Sequence, residues 1–138
     1  MALIAGINLY RRGAAVSRSD FGYPVAPGEQ IWRGGIVGVN AAGQLQRIQT
    51  AGCVALAGVA DQDYSNVGQA SAGPAVVGRK GCWALPVTAA TVSNIGANVY
   101  ATDDSACQLG VPGTGYTAAI GVLVGIDNGQ TYVLLAGS

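Results

Sequence analysis

The sequence has no histidine, one methionine, one phenylalanine and only 10% charged residues in a chain of 138. Each shortage excludes a class of function. Without an imidazole there is no histidine base, no His-ligated zinc and no Ser-His-Asp triad. Seven Lys+Arg balance seven Asp+Glu, so no cationic excess exists to displace counterions from nucleic-acid phosphates. Ordinary soluble domains carry about 25% charged residues. A surface this poor in charge does little to keep neighbours apart, which points to a chain covered by other protein. Three cysteines, Cys53, Cys82 and Cys107, are an odd number at wide spacing. They fit neither a disulfide framework nor a zinc site and read as buried reduced thiols. No cofactor and no metal are expected. The longest later apolar runs, 53–60 and 118–126, are broken by glycine and fall far short of the ~18 residues of a spanning helix. Arg11 and Arg12 follow the apolar stretch 1–10 instead of preceding it, the reverse of a signal peptide. The expectation is a protein made in the cytoplasm, with no membrane segment.

What the chain does have is half apolar residues and 22 glycines, enough apolar material for a core. Residues 1–26 stand apart. They hold three of the six arginines and a set of apolar side chains with neither a 3.6-residue nor a two-residue period. Pro24, Pro27 and Gly28 close the segment. It reads as an extended N-terminal arm that orders against a partner, with residues 27–138 forming the domain.

From Gly28 onward, short β-branched runs alternate with turn residues. The run 31–40 is followed by the turn Asn40-Ala41-Ala42-Gly43 and a second run, 44–49. Residues 54–60 read as a buried strand. Runs at 74–77 and 82–87 flank Gly78-Arg79-Lys80-Gly81 as a hairpin, and 98–101 and 107–109 flank an Asp-rich turn. The runs 119–126 and 131–135 meet near Asn128-Gly129, the strongest short hairpin cue. A short helix is expected near 88–95. Segments 35–45 and 57–61 echo 97–109 and 120–127 at an offset of about 62 to 64 positions, which suggests duplicated hairpin-plus-strand units. The expected fold is all-β: a small barrel or sandwich whose strands close on themselves and bury their edges.

Motifs that imply chemistry fail in context. Gly113-Thr114-Gly115-Tyr116-Thr117-Ala118 matches a dinucleotide fingerprint but is followed by a β-like run, not a helix. Asp61-Gln62-Asp63-Tyr64-Ser65 places oxygens as a calcium loop does. The glycine at position 6 is Asn66, however, and the glutamate at position 12 is Ala72. Asp103-Asp104 sit in a turn. Ser71 lacks a nucleophile elbow and a base. Trp32, Trp83 and Tyr100 are possible stacking platforms for a carbohydrate, although tryptophans beside glycine-broken strands more often pack. The reading is a non-enzyme.

The phrase Ile95-Gly96-Ala97-Asn98-Val99-Tyr100-Ala101-Thr102-Asp103-Asp104, the later Ile120-Gly121-Val122, the closing Tyr132-Val133-Leu134-Leu135 and the hairpin 35–44 carry a family likeness. Over residues 27–138 the chain resembles bacteriophage capsid cement (head decoration) proteins. The resemblance implies a small β-barrel or β-tulip-like domain and a virion protein on the capsid exterior. Its partner would be the phage major capsid protein, and its state a homo-oligomer, often a trimer, that locks adjacent capsomers. The arm matches nothing in that family. On its own residues, Leu3, Ile4, Ile7, Leu9 and Tyr10 are expected to add to a capsid edge or groove, and Arg11, Arg12 and Arg18 to meet acidic capsid groups. The competing readings are another virion part (head fibre base or tail component), a carbohydrate-binding β module, and a small hydrolase using Asp61, Asp63 or Asp103.

Overall fold

Alternation of β-branched residues with glycine and turn residues makes strands too short to stand alone, so each must pair. A computed structural model describes residues 2–7 and 20–138, and the backbone of residues 11–12. In order, the strands are β1 (Arg11–Arg12), β2 (Phe21–Pro24), β3 (Gln30–Ile31), β4 (Ile36–Asn40), β5 (Leu45–Arg47), β6 (Cys53–Ala60) and β7 (Tyr64–Ser65). They continue as β8 (Ala75–Arg79), β9 (Cys82–Ala84), β10 (Asn98–Asp103), β11 (Ala106–Gln108), β12 (Gly121–Asp127) and β13 (Gln130–Leu135).

The fold is all-β, but it is not a closed barrel. Three antiparallel sheets form: six strands in the order β1-β9-β13-β12-β10-β11, five in the order β2-β8-β6-β4-β5, and the pair β3-β7. Closure fails because the chain changes sheet at 79–82. β8 belongs to the five-stranded sheet and β9 to the six-stranded one. The expected hairpin around Gly78–Gly81 is therefore a crossover between sheets. The expected helix near 88–95 is only a 3-10 turn, Val92–Asn94. Thr and Val there lose rotamer freedom in a helix, and the stretch buries no residue to offset that.

The other hairpins form where the turn chemistry allows. Asn128 and Gly129 adopt φ of 51° and 76°, the left-handed pair that a type I′ turn needs. Between β4 and β5, the Asn40 carboxamide oxygen accepts N–H bonds from Ala42 and Gln44, both at 3.0 Å.

The echo in the sequence is a duplication in the structure. In chain order, the five-stranded sheet and strands β9–β13 both run first, fifth, fourth, second, third across the sheet. Registers agree too. Val39↔Leu45 corresponds to Ala101↔Cys107, Val37↔Gly58 to Val99↔Gly121, and Phe21↔Gly78 to Trp83↔Val133. The isolated parallel bridges Val25↔Leu45 and Val87↔Cys107 are equivalent as well, displaced by about 62 positions. Gly34 N–H donates to Ala60 O at 2.9 Å, and Gly96 N–H to Leu123 O at 2.7 Å.

The two halves are stacked rather than set side by side. One face of the five-stranded sheet makes a core of Val25, Val37, Val39, Leu45, Ala57 and Val76, with Ile31 of β3 packed in and Tyr64 of β7 against it. Its other face sends Ile36, Ile48 and Val59 into the core of the six-stranded sheet, among Trp83, Val99, Leu123 and Val133. Strand β4 and the end of β6 are thus buried on both faces, which explains their near-continuous apolar runs.

Candidate functional site

Because the sequence places its contact residues in the arm, the way the arm meets the body decides what it can present. The described part of the arm lies along its own domain. Leu3 N–H donates to Asp104 Oδ1 at 2.9 Å, and Ile7 N–H donates to Arg33 O at 2.7 Å. Gly34 and Gly35 form the seat. A Cβ at Gly34 would come within 2.6 Å of Ile7 Cγ1 and of its carbonyl oxygen, and one at Gly35 within 3.2 Å of Leu3 Cδ1. Farther on, the backbone of Arg11 and Arg12 pairs with Trp83 and Cys82, covering the β9 edge. Leu9, Tyr10 and Arg18 lie outside the described residues.

Of the expected contact residues, Leu3 is half-buried against the body, Ile7 is 39% exposed and Ile4 is 81% exposed. Hence Leu3 and Ile7 help to hold the arm, and Ile4 is the aliphatic side chain it offers outward. Residues 21–26, the last of the expected arm 1–26, pack with the body. β2 pairs with β8, and Val25 is fully buried.

Asp104 anchors the first turn of the arm. It is 1% exposed. Burial pushes its carboxyl above the ordinary value of 3.8; the Leu3 N–H bond, Arg47 and Gln49 pull it back only in part. Gln49 Nε2 donates to Oδ1 at 3.4 Å, and Oδ2 has no hydrogen-bond partner among the described residues. Asp103 next door goes the other way. Burial raises it, but the Ser105 backbone N–H and hydroxyl, at 2.8 and 2.9 Å from its Oδ1, bring it below the ordinary value. The two adjacent acids are thus shifted in opposite directions, and the Asp103 charge adds to the rise at Asp104.

A carboxyl held above its unfolded pKa binds its proton more tightly in the native state, so stability falls as pH rises from the ordinary carboxyl range through the raised value. Asp104→Asn keeps the Oδ1 acceptor and removes the buried charge. Urea midpoints measured from about pH 4 to 7 should show the variant gaining on the wild type as pH rises. Parallel curves would refute the assignment.

The residues of the other candidate motifs are placed as follows. Asp61 bonds Arg79 Nη2 at 3.3 Å, while Asp63 Oδ1 accepts the Arg33 N–H at 2.7 Å. The two carboxylates of the calcium-like loop thus bond to separate neighbours, and Asp61 Oδ1 is buried with no hydrogen-bond partner among the described residues. Asn66, in place of the loop glycine, is 2% exposed and donates to Ala26 O and Ser71 O, both at 3.0 Å. No group of three His, Cys, Asp or Glu side chains among the described residues is placed to hold a metal. No helix opens at Gly113, so its backbone does not form a pyrophosphate cradle. Trp83 is 7% exposed within the core, and its Nε1 donates to Lys80 O at 3.1 Å. Burial of Cys107 pushes its thiol up to about 12, and burial raises Cys53 too.

Sequence reasoning missed Gly34, Gly35 and Asp104 as holders of the arm. The glycines read as interruptions of a strand and the aspartate as a turn residue; only the arm's position shows their use. No known protein family, curated protein or solved structure matches the chain.

Proposed function

We propose that this chain is a capsid cement protein, which binds the outer surface of a phage head and holds adjacent capsomers together against the pressure of packaged DNA. The observation that carries this reading is the arm. Backbone bonds fix it to the body at Leu3 and Ile7, and between them Ile4 is left 81% exposed. An aliphatic side chain on a segment pinned at both ends loses little freedom on docking, so its burial contributes directly to binding. The resemblance in residues 27–138 and the charge-poor composition support the same reading. The act is passive. Several weak contacts on neighbouring capsomers combine into one clamp, gaining about 10²–10⁴ in apparent affinity over a single contact.

Purified chain mixed with undecorated, expanded heads of the virus that encodes it should co-sediment with them and raise their resistance to heat. Ile4→Asp leaves the body untouched and should lower occupancy at least tenfold. Full occupancy by that variant would remove the arm from the interface. Failure of the wild type to sediment with heads would refute the function itself.

A further inference from the structure

Asp104 and Gln49 each carry a buried oxygen that finds no hydrogen bond among the described residues, Oδ2 on the one and Oε1 on the other. The two side chains are already joined through their other halves, where Gln49 Nε2 donates to Asp104 Oδ1 at 3.4 Å. Oδ1 also accepts the Leu3 N–H of the arm at 2.9 Å. Carboxyl and carboxamide are planar groups of the same shape, so a bond through one half becomes a ring when the two remaining oxygens share a proton. Neither oxygen presents surface on which a bridging water could sit. Leu3 is part of that cover, because a Cβ at Gly35 would lie 3.2 Å from Leu3 Cδ1 and 3.4 Å from Asp104 Oδ2.

We propose that a proton on Asp104 Oδ2 donates to Gln49 Oε1 and closes an acid–amide ring, a latch that holds the arm at Leu3 and opens as pH rises. One proton answers both unpartnered oxygens at once. Without it, two acceptors stand buried with no donor, and a carboxylate charge lies under an aliphatic side chain. Water reaches Oδ2 most cheaply if the arm lifts. Residues 2–7 hang on the bonds of Leu3 and Ile7, whereas Asp104 is fixed to the body by the Ile36 N–H on its carbonyl at 2.9 Å. The charged groups acting on the carboxyl are Arg47 of β5, which favours ionisation, and Asp103 beside it, which opposes it. Arg47 is itself paired with Glu29 at 3.1 Å, so its pull is shared. Burial raises the Asp104 carboxyl above its ordinary value, the direction that the ring requires. A lifted arm returns the carboxyl toward that ordinary value, so the seated arm binds the proton more tightly. Seating is therefore strongest in acid and weakens as pH rises through the raised value, by up to about tenfold for each unit between the two values. The inference is independent of the capsid reading, since it concerns the purified chain alone.

Nuclear magnetic resonance of the isotope-labelled full chain from about pH 3.5 to 7.5 tests both parts of the latch. The Asp104 carboxyl carbon should titrate above 3.8. Over the same interval the Ile7 amide, whose partner is Arg33 O and not Asp104, should lose hydrogen-exchange protection relative to an unstructured peptide. Asp104→Asn puts an N–H donor where the proton sits, so Ile7 should stay protected throughout. Gln49→Met removes the acceptor and should lower Ile7 protection at the acid end to the value that the wild type shows at the neutral end. Titration of Asp104 at or below 3.8, or constant protection of Ile7 in the wild type, overturns the inference. So does an Asp104→Asn variant that follows the wild-type curve, or a Gln49→Met variant that keeps wild-type protection in acid.

Discussion

Gly58→Ala should leave little folded protein at 37 °C. The glycine has φ of +129°, a region closed to side chains with a Cβ. A Cβ built there would lie 2.7 Å from the Arg79 carbonyl carbon, 2.9 Å from its nitrogen, and closer still to its oxygen. All three are backbone atoms of the neighbouring strand, so no side-chain rotation relieves the contact. Strain of about 1–3 kcal/mol from the dihedral adds to the cost of separating β6 from β8. A total above about 4 kcal/mol approaches the whole stability of an ordinary small domain. Gly121 is the equivalent position in the second half, where a Cβ would meet the Leu134 carbonyl in the same manner. Circular dichroism and urea unfolding of the two alanine variants are the check. Gly121 has no positive φ, so its variant should be the milder of the two. Near-native stability of Gly58→Ala would show that β6 and β8 do not approach as described.

Glu29→Ala should cost about 2–4 kcal/mol, the range for removing one partner of a buried charged network. Glu29 is 6% exposed and gathers four donors from three residues. Arg47 approaches through Nε at 3.1 Å and its backbone N–H at 3.3 Å, Thr50 through its hydroxyl at 2.6 Å, and Gln30 through its N–H at 3.1 Å. These bonds tie the entry of β3 to the end of β5 and the turn that follows. Removal of the carboxylate leaves those donors without their acceptor, and Arg47, being 29% exposed, recovers part of the loss from water. Glu29→Gln retains one acceptor oxygen and should lose less. Denaturant midpoints of the two variants, with a Glu29→Ala/Thr50→Val cycle, separate the network from simple loss of packing. A cycle with no coupling would mean that the carboxylate acts alone.

Strand content was legible because it is local. Asn128-Gly129 can turn only one way at low cost, Asn40 caps its own turn with its side chain, and alternating valines and glycines favour extended backbone over helix. The repeat was legible as well, since the glycine in Ala57-Gly58-Val59-Ala60 recurs in Ile120-Gly121-Val122-Leu123 for the same steric reason. Closure was misread because every local sign of a hairpin is present at Gly78–Gly81. Whether flanking strands pair with each other or diverge depends on what else each can pair with. β8 finds β2 and β6, whereas β9 finds β13 and β1.

The candidate site divides in the same way. That Ile4 lies outside the core could be read from the chain alone, because an apolar side chain with no periodic neighbours has no core to enter. That Leu3 and Ile7 serve the body, that Gly34 and Gly35 make room for them, and that Asp104 holds them could not. Those contacts join residues some 30 to 100 positions apart. The sequence by itself determined strand, turn, glycine spacing and lack of charge, since each is set by a residue and its near neighbours. Tertiary structure alone decided which sheet face is covered and which stays open, because burial belongs to a pair of surfaces and one strand carries only half of it.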